Sequence, residues 1–113
     1  MSEVNLGTIQ ANGPLVFRAI TVASADTLQE IILPTWWRSV EIWCNASDES
    51  AAPFQISHTG TDGAAPTANS TVRYTAGQVF LWQNSTQTSA DRSPSLFVAV
   101  DSSNAVICVK VEG

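Results

Sequence analysis

Trp36-Trp37-Arg38-Ser39-Val40-Glu41-Ile42-Trp43-Cys44 alternates along its length. One set is Trp36, Arg38, Val40, Ile42 and Cys44; the other is Trp37, Ser39, Glu41 and Trp43. Successive side chains of a strand point to opposite faces, so a period of two describes a half-buried β-strand. The first set reads as a mainly aliphatic face and the second as an amphipathic one. On this reading Trp37 and Trp43 lie together beside Ser39 and Glu41.

Working outward, similar short apolar runs recur about every ten residues, with Ser, Thr, Asn, Gly and Pro between them. They predict further strands at 4–9, 15–22, 28–33, 54–58, 71–75, 78–83, 95–100 and 105–111. Only 27–32 has some helical spacing. Ala11-Asn12-Gly13-Pro14 is a strong turn signal. Thr75-Ala76-Gly77 predicts a hairpin between 71–75 and 78–83, and Asp101-Ser102-Ser103-Asn104 predicts another between 95–100 and 105–111. Two long polar loops remain, 59–69 and 84–94, and the Gly- and Ala-rich first one reads as the more mobile. Nine short strands with two long loops predict an all-β chain folded as a single antiparallel β-sandwich. A jelly roll is favoured over an immunoglobulin-like Greek key. Cys44 and Cys108 are spaced like an immunoglobulin pair, but no Trp follows Cys44 by about a dozen residues. The expected core residues are Val40, Ile42, Phe54, Ile56, Leu81, Val98 and Ile107.

At 113 residues the chain reads as one domain, 1–113, large enough for a core without cross-links. Charged residues make up 13% of it, about half the usual ~25%. Ser and Thr take their place. A surface poor in Lys and Glu loses less side-chain entropy when covered, which suits burial against a partner. The net charge is −5 and the five basic residues are scattered, which argues against nucleic acid and against an anionic membrane surface. No stretch is long enough to span a bilayer. The opening Met1-Ser2-Glu3-Val4-Asn5 lacks the basic and apolar parts of a secretion signal, so cytoplasmic synthesis without secretion is expected. Cys44 and Cys108 are then expected as free, buried thiols, and the sequons at Asn45, Asn69 and Asn84 as unused.

Catalytic constellations are hard to find. His58 is the sole histidine. Asp62 is close enough in sequence to orient it, but Ser57 points to the other face of the strand and cannot be its nucleophile. Cys44, His58 and Cys108 lack zinc-site spacing. Asp48-Glu49 and Asp62-Gly63 lack the ligand density of a calcium loop. Gly60-Thr61-Asp62-Gly63 has neither the lysine nor the following helix of a phosphate loop. The chain is expected not to be an enzyme and to carry no metal or cofactor. Binding candidates come from two places. Trp37, Trp43 and Trp82 can stack on a sugar ring or bury at a protein interface, against the plainer role of core packing. Val4, Leu6 and Ile9 lie in segment 1–9, read as an extended N-terminal arm or an edge strand able to add to a neighbour's sheet.

Length, the start at Met1, low charge, abundant Ser and Thr, continuous short strands and loops such as Thr59-Gly60-Thr61-Asp62-Gly63-Ala64-Ala65-Pro66 belong together. In this whole-chain character the sequence resembles the small β-sandwich decoration or cement proteins of tailed bacteriophage capsids. No residue role is carried over from that resemblance. It implies a non-enzymatic virion protein on the capsid surface that binds and stabilises the shell. Its implied partners are the major capsid protein or another virion protein, and further copies of itself as a homo-oligomer. The alternative is a carbohydrate-binding β-sandwich module, as on a phage tail fibre, with a glycan on the tryptophans.

Overall fold

The computed structural model describes residues 3–6, 15–67, 70–83 and 95–113. Its strands are β1 (Val4–Asn5), β2 (Leu15–Val22), β3 (Gln29–Ile32), β4 (Ser39–Asn45), β5 (Phe54–Ser57), β6 (Val72–Tyr74), β7 (Phe80–Gln83), β8 (Ser95–Val100) and β9 (Ala105–Glu112). They form a five-stranded sheet in the order β1-β3-β8-β5-β6 and a four-stranded sheet in the order β2-β9-β4-β7. The predicted all-β sandwich is what the chain adopts.

The strand order identifies the topology. β2 pairs with β9, β3 with β8, β4 with β7 and β5 with β6, all antiparallel. From β2 to β9 the chain is therefore one long double ribbon, folded back between β5 and β6. Successive pairs of the ribbon alternate between the two sheets. Winding brings β9 beside β4 and β8 beside β5, which completes both sheets. This wound double ribbon is a jelly roll. β1 is added at the edge, parallel to β3, with Val4 opposite Ile31. The described part of segment 1–9 is thus an edge strand of its own sandwich.

The core lies between the sheets. From the four-stranded sheet, Val40 and Ile42 of β4 and Ala105, Ile107, Val109 and Val111 of β9 are almost wholly buried. Phe54, Ile56, Leu96, Val98 and Val100 face them from the other sheet. Fully burying such a side chain stabilises by about 1.5–3 kcal/mol. Five-stranded and four-stranded sheets differ on their outer faces. On the former, Phe97 and Ala99 are buried again, beneath Leu28 and the 58–67 loop.

That loop is tied down, unlike the mobile loop its composition suggested. Leu28 donates its amide to the Ala64 carbonyl and accepts one from Gly63, both at 2.8 Å. The Glu30 amide donates to Asp62 Oδ1 at 2.9 Å. Ser57 Oγ donates to the Thr59 carbonyl at 2.7 Å. Gly60 crosses so close that a Cβ there would lie 2.9 Å from Leu28 Cδ1. Small residues therefore serve here for close approach rather than looseness.

Both predicted hairpins are corrected. β6 and β7 lie in different sheets, as do β8 and β9, so each connection is an arch between layers. A turn signal marks where the chain reverses and says nothing about whether the next strand pairs or crosses. Burial decides: β8 carries apolar side chains on both faces and belongs in the middle of a covered sheet. The 101–104 arch is held against the β2–β3 connection by Asn104 N–H to Val22 O and Asp26 N–H to Val100 O, each 2.8 Å. The sequence 27–32, with its trace of helical spacing, becomes β3.

Leu81 is a second correction. It was expected in the core but is 54% exposed, because it pairs with Glu41 on the outer face while Phe80 and Trp82 turn inward. Replacing Ile42 by Ala is expected to cost about 2–5 kcal/mol through lost burial and a cavity. Replacing Leu81 by Thr is expected to change stability by no more than about 0.5 kcal/mol. Urea unfolding of both variants checks the facing of β4 and β7.

Candidate functional site

Among the described residues the sandwich is closed along one side and open along the other. Among the described residues, the closed side carries β1 and β2, where Leu6, Val16 and Val22 are buried. The open side carries the short edge strands β6 and β7. Between them lies a cleft of about 590 Å³ whose apolar lining is Ile56, Val72, Phe80, Trp82 and Leu96. Its size falls within the range of small-ligand sites, ~300–1,000 Å³. Ile56 and Leu96 are buried, Phe80 and Trp82 half-buried, and Val72 is 60% exposed although it lies on the inward side of β6. His58, Thr59 and Thr71 supply polar groups to the same cleft.

The tryptophans separate into different roles. β4 begins at Ser39, so its alternation does not reach back to Trp36 and Trp37. Instead the Trp37 amide donates to the Pro34 carbonyl at 3.2 Å in a turn. Trp37 is consequently a core residue, 4% exposed, and its ring lies 4.5 Å from that of Trp82 at an interplanar angle of 50°. The expected sharing of a face by Trp37 and Trp43 is corrected accordingly. Trp43 lies on the outer face of β4, half-buried, and Trp82 has one side on Trp37 and lines the cleft. Of the N-terminal candidates, Val4 packs on the core and Leu6 is fully buried; Ile9 lies outside the described residues.

The outer face of the four-stranded sheet is the second surface. Register sets its rows. Leu15, Glu112, Ser39 and Gln83 form one row; Phe17, Lys110, Glu41 and Leu81 the next; Ala19, Cys108 and Trp43 a third. Phe17 is 66% exposed, Leu81 54% and Leu15 42%. Between the apolar flanks, Lys110 Nζ lies 3.7 Å from Glu41 and 3.9 Å from Glu112. Sequence reasoning missed this face. Its signal was the polarity of the pairing partner: Leu81 and Phe17 fall in one row with a charged pair. The run Phe80-Leu81-Trp82 has no period of its own to reveal that.

Chemistry of titratable groups is sparse. His58 is exposed, and among the described residues no three His, Cys, Asp or Glu side chains gather as metal ligands. Both cysteines are free. Cys108 is opposite Trp43 in the β4–β9 register, so it points outward, while Cys44 points into the core. Their Cβ vectors diverge and cannot be bridged without moving backbone. Cys108 was expected to be buried but is only half-covered. Burial pushes the Cys44 thiol up from 9.0 to about 11, with smaller contributions from Cys108 and Asp101, and burial also raises Cys108.

No family model matches the sequence, and no curated protein matches it. Solved structures give distant likenesses. A de novo designed double-stranded β-helix is 11% identical, with a TM-score of 0.47, over 88% of this chain and 97% of its own. A structure of Bacillus endospore appendages, described as disulfide-linked pili, is 14% identical with a TM-score of 0.39, over 87% and 84%. The tobacco streak virus coat protein is 9% identical with a TM-score of 0.39, over 88% and 87%. Likeness at this level carries no assignment of function, which has to come from the chain's own residues.

The thiols supply a test of the facing. In dilute native protein Cys108 is expected to react with an alkylating reagent well before Cys44, as read by peptide mass spectrometry. Cys44 holds its proton to a higher pH folded than unfolded, so the unfolded state binds fewer protons between pH 9 and about 11. Stability is therefore expected to fall as pH rises through that window, and less so in Cys44→Ala, as followed by denaturant titration.

Proposed function

We propose that this chain is a non-enzymatic structural protein of a viral shell, a decoration or cement module on the capsid surface. Its partner would be the major capsid protein or another virion protein, bound alongside other copies of itself. The observation that carries this reading is the cleft between β6 and β7. It is apolar, it opens between two edge strands, and among its described lining His58 is the only titratable side chain. Such an arrangement suits an extended segment of another protein. Backbone groups of an edge strand pair with the segment, and alternate side chains enter the cleft. Each contact is weak, and repetition around a shell makes the whole tight. The low charge of the chain lowers the cost of covering its surface.

One observation favours a second reading, a carbohydrate-binding module. Trp82 lines the cleft together with the hydroxyls of Thr59 and Thr71, which can stack on a sugar ring and bond its hydroxyls. Apolar Val72, Phe80 and Leu96 on the same walls weigh against it, since they offer a sugar no hydrogen bonds.

The test uses Val72→Asp, a change at an exposed position. The tagged chain is expressed in its native setting and large particles are separated on a density gradient. Wild type is expected in the particle fraction, and Val72→Asp at least tenfold depleted from it with an unchanged melting temperature. Equal particle binding by the variant overturns the cleft as the docking site. Glycan binding by the free protein, lost in Val72→Asp, supports the carbohydrate reading instead.

A further inference from the structure

We propose that the outer face of the four-stranded sheet is a two-fold interface for a second copy of this chain. The inference deepens the reading above by naming the face through which copies meet. It shares no residue with the cleft.

The rows of this face run in an order that can meet its own reverse. Consider a two-fold axis in the plane of the interface, running along the strands between β9 and β4. Rotation about it lays β9 over the partner's β4 and β2 over its β7, and keeps each row at its own level. The row Phe17-Lys110-Glu41-Leu81 then meets itself in reverse. Phe17 of one copy covers Leu81 of the other, and Lys110 covers Glu41. Two internal ion pairs become a square of alternating charge. In the next row Cys108 meets Trp43, a small side chain against a large one. In the outer row Glu112 meets Ser39, whose hydroxyl can donate to it. An isologous contact requires this kind of self-complementarity, and most surfaces lack it.

Size and charge agree. Three strands of seven or eight residues and the four-residue β7, ~4.8 Å apart with a rise of ~3.3 Å per residue, cover on the order of 430 Å² in projection. Two copies thus bury on the order of 850 Å², the size of a weak, transient interface. Stacked sheets pack aligned to within about 30°, so the central rows stay matched while the corners are offset. The whole chain carries −5, which repels a second copy in general. Among the described residues of this face the excess is a single negative charge, from Glu41 and Glu112 against Lys110, so little of that repulsion acts across it. Partly exposed apolar flanks around a charged centre give a reversible rather than obligate pair.

Sedimentation velocity of the purified chain, from low micromolar to about 1 mM, tests this without any shell. Wild type is expected to pass from monomer to dimer across that range. E41K and K110E each place like charges face to face and are expected to remain monomeric, with melting temperatures showing that they fold. An equimolar mixture of E41K and K110E restores Lys opposite Glu at both positions and is expected to form a heterodimer. A wild type that stays monomeric throughout overturns the proposal. So do charge variants that dimerise like wild type, or a mixture that fails to recover the dimer. A dimer that forms as described in a protein that binds no particle supports this interface and removes only the shell reading.

Discussion

The register between β4 and β9 is the constraint from which most of the structure follows. Val40 lies opposite Val111, Ile42 opposite Val109 and Cys44 opposite Ile107. A slip of one residue in β9 would turn Ile107, Val109 and Val111 to solvent and drive Lys110 inward. Each lost aliphatic side chain costs about 1.5–3 kcal/mol, and a buried unpaired ammonium costs several more. The register is therefore strongly specified. Once set, it places Lys110 beside Glu41 on the outer face and sends the two cysteines to opposite sides of the sheet.

Winding of the double ribbon then decides which surfaces are left uncovered. The long β5–β6 connection returns over the five-stranded sheet and buries Phe97 and Ala99 there. The four-stranded sheet presents Leu15, Phe17 and Leu81 on its outer face. At the sheet edges β6 has three residues and β7 four, and among the described residues they leave the interior open on that side. The described residues thus present two apolar surfaces of different shape, a flat face and a cleft. They suit different partners: a flat face whose rows match their own reverse suits a like copy, and a cleft flanked by edge strands suits an extended segment.

The class of fold was legible in the sequence because alternation in 36–44 and regular strand spacing report local backbone directly. Val40, Ile42, Phe54, Ile56, Val98 and Ile107 were readable as core for the same reason. What was not legible depends on which strands meet. Leu81 faces outward because Glu41 is its neighbour, and nothing in 80–82 says so. Trp37 is buried because Pro34 starts a turn that breaks the alternation before Ser39. Turn residues at 75–77 and 101–104 mark reversals, but whether a reversal is a hairpin or an arch is settled by the second sheet. The two candidate surfaces are both products of register and winding, so single-residue patterns gave only fragments of them, Trp43 on one and Trp82 on the other.

Hydrogen–deuterium exchange of the chain, alone and in its native assembly, tests the role of the open side most directly. Backbone amides of an unpaired edge exchange quickly and become protected when another strand pairs with them. The expected result is strong added protection at 72–74 and 80–83 in the assembly, with the buried β8 and β9 unchanged. Identical exchange of β6 and β7 in the two states would contradict the assignment of that cleft to a partner chain.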